Sequence, residues 1–219
     1  MMKSENKNFQ LLKEWIVKDN HPCIMAQTVF KMDMVDYHEY AGFGSKSAIE
    51  IILSDLEKYI ASYDFSSNDF FTFIASFPNE TEEFSEKEFE KLLWRQLQYL
   101  HDADDFDWDP EVNSNPEDEN FSFSIKGRAF YVVGLHKNSS RKARQTLHPT
   151  IVFNLHSQFE KLREMNSYHK VRDRIRKRDI KLQGDMNPML EDFGEDSEAK
   201  QYSGRKVEQD WKCPFQHKK

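Results

Sequence analysis

Residues 121–135 read FSFSIKGRAFYVVGL. Phe121, Phe123 and Ile125 alternate with serines, the period of a strand with one apolar and one polar face. Lys126-Gly127 then supplies a two-residue glycine turn, and RAFYVVGL continues as a nearly unbroken apolar run. A strand that is apolar on both faces must be covered on both faces, so it is central to its sheet. The stretch therefore predicts a hairpin whose second strand lies in the middle of the molecule.

Working outward, TIVFN (150–154) reads as a further short strand and FFTFIASF (70–77) as an aromatic, β-branched one. CIMAQTVFKM (23–32) reads as a strand as well. Helical spacing places Phe9, Leu12, Trp15 and Ile16 on one face of residues 7–18, a helix that must stop before Asn20-His21-Pro22. AGFGS, with Ser45 as cap, precedes a second helix carrying Ala48, Ile49, Ile52, Leu53, Leu56, Tyr59 and Ile60 on one face. Ser85 and Glu88 form a capping box ahead of a helix striped by Phe89, Leu92, Leu93, Leu97 and Leu100 and ending near His101. Ser157 and Glu160 form a second box, followed by Phe159, Leu162, Met165, Tyr168, Val171 and Ile175. The order α-β-α-β-α-β-β-β-α predicts an α+β fold with a mostly antiparallel or mixed sheet.

Three segments follow from this reading. Residues 1–20 form an N-terminal helix, 21–183 an α+β core, and 184–219 a loop-rich C-terminal segment. That last segment keeps Met189, Leu190, Phe193, Tyr202, Trp211 and Phe215, enough anchors to pack on the core. Residues 102–119 are acidic, hold no Lys or Arg and include two prolines, so they read as a solvated loop.

The chain has 219 residues, long enough to bury a core without disulfides or metal staples. Aromatic residues at 14% separate it from disordered chains. A net charge of −7 argues against nucleic acid as the partner. The basic run Arg172, Arg174, Arg176, Lys177, Arg178 reads first as a solvated helix face. Two cysteines make no disulfide framework, and no segment has the length and apolarity of a signal or a membrane span. These features predict a soluble, reduced, cytoplasmic protein.

The chemistry concentrates in VVGLHKNSSRKARQTLHPTIVFNLH (132–156). His136 closes the central strand, His156 sits at a strand-to-helix turn, and His148 precedes Pro149 in a loop. A strand end is a good place for a metal-ligating imidazole, while a partly buried histidine satisfied by hydrogen bonds is the commoner outcome. Asn138-Ser139-Ser140-Arg141 resembles a helix start, with Arg144 one turn on, which suits a carboxylate or phosphate. HExxH, paired CxxC, a P-loop and G-x-S-x-G are all absent. Cys213 and His217 could make a zinc site with His21 and Cys23 if the termini met, giving a zinc-stabilised interaction module. Cys23 could instead be a thiolate ligand to haem iron, or simply a small buried thiol.

The phrases GLHKNSSRKAR, HPTIVFNLHSQFEKLR, IRKRDIKLQGDMNPMLEDFGEDSEAKQYSGR and WKCPF together resemble the YqcI/YcgG family, from about Pro22 to Phe215. One phrase departs from the family form, which is closer to VFNPH; this chain has Leu155 before His156. Some relatives in that family are haem-dependent N-hydroxylases of guanidino or arginine-like compounds, one of them in guanitoxin biosynthesis. The resemblance implies haem b, O2, an electron donor and a small guanidino or amino substrate. It implies a haem-dependent monooxygenase, with a non-catalytic haem carrier or sensor as the alternative. A haem oxygenase needs a proximal ligand and groups for the propionates. His136 is the first candidate for the iron and His156 the second. Ser140, Arg141 and Arg144 are candidates for the cofactor's anionic groups. On the substrate side, Glu191, Asp192 and Glu195 could face a guanidinium, and Arg205 a carboxylate.

Overall fold

A computed structural model describes residues 6–18, 21–80, 82–187, 189 and 192–218. The hairpin forms as read. β3 (Phe123–Ile125) and β4 (Arg128–Leu135) are antiparallel, with Phe123 opposite Phe130. Lys126 and Gly127 both have positive φ, 52° and 68°, the turn whose twist matches that of the flanking strands. β5 (Thr150–Leu155) pairs antiparallel with β4 on one side and with β2 (Thr72–Ser76) on the other. β1 (Val35–Glu39) adds to β2 in parallel, giving a mixed sheet in the order β1-β2-β5-β4-β3. The expected α+β class with a mixed sheet is what the chain adopts.

Both faces of the sheet are covered, which is why β4 is apolar on both. Phe130 and Val132 of β4, Ile151 and Phe153 of β5 and Phe73 of β2 join one core with α3 (Ile49–Ser62) and α4 (Glu86–Ala103). The alternate residues Tyr131, Val133 and Leu135, with Val152 and Asn154, face the other way. That second face is roofed by α1 (Lys7–Lys18), α2 (Ile24–Lys31), α5 (His156–Glu164) and α6 (Tyr168–Gln183). A smaller core there joins Phe9, Ile16, Val29, Phe30 and Ile74. Among the described residues, no helix is long and apolar enough to cross a membrane.

Several expectations need correction. CIMAQTVFKM is not a strand but α2, and Cys23 is its N-cap, its sulfur accepting the Ala26 N–H at 3.4 Å. The β-branched residues yield to tertiary packing, since only a helix buries Val29 and Phe30 together against α1. The strand in this region is VDYHE, β1, whose alternating burial carries the strand period. Ser45 does not cap α3. Ala48 holds that position, and the Ser45 hydroxyl closes a turn by donating to the Gly42 carbonyl at 2.7 Å.

The first capping box, Ser85 with Glu88, is present in full. The second is not: α5 starts at His156, so Ser157 falls inside the first turn and Glu160 turns to His156 instead. The predicted continuous helix breaks at Asn166, whose φ of 53° separates α5 from α6. The short helix after Asn138 is a single 3-10 turn, Lys142–Arg144.

The acidic stretch is more than a solvated loop. α4 extends to Ala103, Asp104 accepts the Lys126 N–H at 2.7 Å, and Asp109 accepts the Ala129 N–H at 2.8 Å. Both carboxylates are buried and clamp the hairpin. Tyr202 and Phe215 of the C-terminal segment join the core, with α7 (Ala199–Tyr202) beside β4.

Gly134 lets that packing close. A Cβ there would lie 2.8 Å from Phe89 Cε1, 2.9 Å from the Tyr202 carbonyl oxygen and 3.0 Å from Leu93 Cδ2. Gly134→Ala should therefore lower unfolding free energy by about 1–3 kcal/mol, as overpacking does elsewhere. A urea titration that reports an unchanged midpoint would show the segment is not seated this way.

Candidate functional site

Between the second sheet face and its roof of helices lies a cavity of about 320 Å³. That volume is at the low end of the range for small-molecule sites. Trp15, Ile74, Val133, Val152, Phe159 and Ile175 make most of its wall apolar. Polar groups come from Thr72, Tyr131, Asn154, Gln158 and Gln201, and charged ones from α6, the 3-10 turn and the C-terminal segment.

His156 belongs to this cavity because of strand parity. Val152, Asn154 and His156 follow one another on the same face as β5 runs into α5. The imidazole is 5% exposed. Its Nε2 lies 3.1 Å from Glu160, one turn along α5, and the Phe193 ring packs edge-on at 4.4 Å. Its Nδ1 has no hydrogen-bond partner among the described residues. The nearest carboxylate oxygen on that side is Glu198 Oε1 at 4.0 Å. Glu198 is 4% exposed and lines the cavity. Its Oε2 accepts from the Ser122 hydroxyl at 3.0 Å and from Tyr202 at 3.4 Å. Burial pushes its carboxyl up to about 7, with His156 and the two hydroxyls acting in the opposite sense.

The predicted arginines divide by their partners. Arg141 is neutralised by Asp179, at 2.6 Å, and by Asp185. Arg144 is buried and, among the described residues, donates to carbonyls: Gly134 and Tyr202 at 3.1 Å and Gln201 at 3.0 Å. Burial lowers its pKa from the ordinary value. Gly204, at φ 83°, leaves room for the Arg144 stem, since a Cβ there would lie 3.2 Å from Arg144 Cδ. Asp192 lines the cavity, paired with Arg172 and with Arg176 and accepting from the Tyr168 hydroxyl. Cys23 is at the wall too, and burial raises its thiol pKa, so it sits there as a neutral thiol.

Other candidates lie elsewhere. His136 does not line this cavity. It continues the parity of Phe130 and Val132, so it faces α4, stacked on Phe89 at 4.2 Å. Leu135 pairs with Thr150 and Phe130 with Leu155. His136 and His156 thus stand just beyond opposite ends of the β4–β5 ladder, itself about 17 Å long, and on opposite faces. His136 and His148 instead line a smaller pocket of about 170 Å³. Ser140 is tied to Glu86 through its N–H and hydroxyl, both at 2.8 Å. Arg205 is locked to Glu90 at 2.7 Å and to Glu208 at 2.8 Å, outside the cavity. Glu195 is exposed and accepts the Asp192 N–H at 3.3 Å, and Glu191 lies outside the described residues.

The two halves of the supposed zinc site are not brought together. His21 and Cys23 line the cavity, and His21 is engaged by the Ala143 carbonyl and the Cys23 N–H. Cys213 packs against the core on the other sheet face. Among the described residues, no group of three or more His, Cys, Asp or Glu is placed to hold a metal ion. Glu198 was not among the predicted residues. It lies in a loop-rich stretch with no periodicity, where only the tertiary contact with Ser122 marks it.

His136 yields a pH prediction. It is 2% exposed, neither ring nitrogen has a partner among the described residues, and burial lowers its pKa to about 4 from an ordinary value of 6.5. The unfolded chain takes up a proton before the folded one does. The contribution of a neutral His136 is therefore lost as pH falls from about 6.5 to about 4. His136→Phe keeps the stacking and should flatten melting temperature against pH in that window. If the variant melts with the wild-type pH slope, the folded histidine is not neutral.

The model of the YqcI/YcgG family matches residues 12–216. A Bacillus subtilis (strain 168) protein, the uncharacterised YcgG, is 25% identical over 225 residues, covering 96% of this chain and 87% of that protein. No solved structure matches the chain.

Proposed function

The chain belongs to the YqcI/YcgG family, and from that premise we propose that it is a haem-dependent monooxygenase that N-hydroxylates a small guanidino, arginine-like or amino compound. The observation that supports this most is His156, a buried imidazole in the wall of an apolar cavity whose Nε2 partner, Glu160, is a half-exposed side chain that can turn to solvent. A ligand that displaces Glu160 would gain that nitrogen.

The residues present fit haem b on chemical grounds. The group needs an imidazole for its iron, apolar walls for its macrocycle and cations for its propionates. His156 would take the iron, in place of the first-choice His136, which faces the other core. Arg144 would take a propionate, since its hydrogen-bond partners among the described residues are carbonyls and not carboxylates. Arg141 has two carboxylate partners of its own and would serve as a support for the 3-10 turn that carries Arg144. When bound, haem supplies the activation of O2, with electrons from a separate donor. The chain's own part is to exclude water with Trp15, Phe159 and the strand side chains, and to orient the substrate by Tyr131, Asn154 and Gln158. Of the substrate-side acids among the described residues, Asp192 is the one at the cavity wall, where Arg172 and Arg176 hold it in place. Two unpaired cysteines suit a reducing compartment, and we assign the protein to the cytoplasm.

Titration of the purified chain with hemin tests this reading. A sharp Soret band saturating near one equivalent is expected. His156→Ala should lose the ligand signature and weaken binding at least tenfold, while His136→Ala keeps both. Binding no tighter than to an unrelated control protein would remove haem from the account. A six-coordinate spectrum indifferent to carbon monoxide and to arginine-like compounds would favour a carrier over an oxygenase.

A further inference from the structure

His156 stands between two carboxylates of different character. Glu160, on Nε2, comes from the same helix, has a side chain 40% exposed and is shared with Arg163. It can swing into solvent without disturbing the core. Glu198, on the Nδ1 side, is buried and held from a different part of the chain. Its Oε2 is fixed by Ser122 at the base of β3 and by Tyr202, whose hydroxyl also accepts the Phe123 N–H at 3.0 Å. Phe193 packs edge-on against the imidazole and limits its rotation. Glu198 Oε1 is not given a hydrogen-bond donor by these contacts, and it faces the one ring nitrogen that lacks a partner.

We infer that Glu198 is the positioning residue of His156: with the cavity occupied it closes the 4.0 Å gap to accept the Nδ1–H hydrogen bond, sets the ring orientation, and leaves Nε2 for the ligand of the cavity. The inference rests on the haem reading above. A metal-bound imidazole whose second nitrogen donates to a carboxylate is a more basic ligand than one that donates to a neutral acceptor. Desolvation strengthens the effect, because a buried carboxylate is not shared with water. The more electron-rich ligand favours ferric over ferrous iron and stiffens the iron–histidine bond. Glu160 can do neither, since it has to leave Nε2 for a ligand to bind there.

The test uses Glu198→Gln and Glu160→Gln in the full-length, haem-loaded chain. Glutamine keeps an acceptor oxygen for Ser122 and Tyr202, so loss of the charge is separated from loss of the strut. Glu198→Gln should raise the midpoint potential and move the ferrous iron–histidine stretching band to lower frequency, with a melting temperature of the haem-free protein near that of wild type. Glu160→Gln should leave both readouts where they are and bind haem at least as well as wild type. Unchanged potential and band in Glu198→Gln, with haem still bound through His156, would overturn the role of Glu198 while leaving the haem reading intact. Failure of the wild type to bind haem, or an unaltered spectrum in His156→Ala, would overturn the reading on which it rests. If Glu198→Gln unfolds, Ser122→Ala, which removes one of the two hydroxyls that hold the carboxylate, should still bind haem and shift the same two readouts. No shift there would overturn the role as well.

Discussion

The antiparallel ladder between β4 and β5 is the constraint on which the rest of the molecule depends. Six residue pairs run from Phe130↔Leu155 to Leu135↔Thr150. Because side chains alternate between faces, this register decides which residues enter the α3–α4 core and which enter the cavity. A slip of β4 by one residue would put Phe130 and Val132 into the cavity and Tyr131 and Val133 into the core. The aromatic filling of the core, with Phe73 and Phe153 meeting at 6.1 Å and Phe130 and Phe153 at 5.9 Å, penalises that slip.

The cavity is built from what the ladder leaves over. Its helical roof packs less densely than the opposite face: α6 buries a single residue completely, Asp179, where α4 buries eight. An apolar sheet face under a loosely packed roof is a natural place for a ligand. Charge is distributed there with care. Arg141 with Asp179, Arg163 with Glu160, and Arg172 and Arg176 with Asp192 are ion-paired sets. Arg144, among carbonyls, and Glu198, among hydroxyls, are held by neutral groups instead. Charged side chains in such settings are costly to bury, and they mark where a ligand would compensate them.

Much of this was legible from local pattern. The hairpin, the Ser85 capping box and the faces of α1, α3 and α4 followed from periodicity and turn chemistry, which act over a few residues. The parity of His136 and His156 was legible too, had alternation been carried one residue past each strand: His136 falls with Phe130 and Val132, His156 with Asn154. What could not be read were elements whose conformation is set from outside. CIMAQTVFKM has strand-forming residues but takes the helix that lets Val29 and Phe30 meet α1. Asp104 and Asp109 look like solvated acids until the hairpin backbone is seen to donate to them. Glu198 has no local signature at all.

The sequence by itself determined the mixed α+β class, the central hairpin and the concentration of histidine and arginine between β4 and α5, because these depend on short-range spacing and on the alternation of apolar residues. Only the tertiary structure decided which of those residues share a site. It separated His136 from His156 by a sheet, tied Arg205 and Ser140 to partners elsewhere, and brought Glu198 to His156 across a separation of 42 positions. The physical reason is that burial and charge compensation are properties of what surrounds a side chain in space, and the chain order carries that information only through the complete fold.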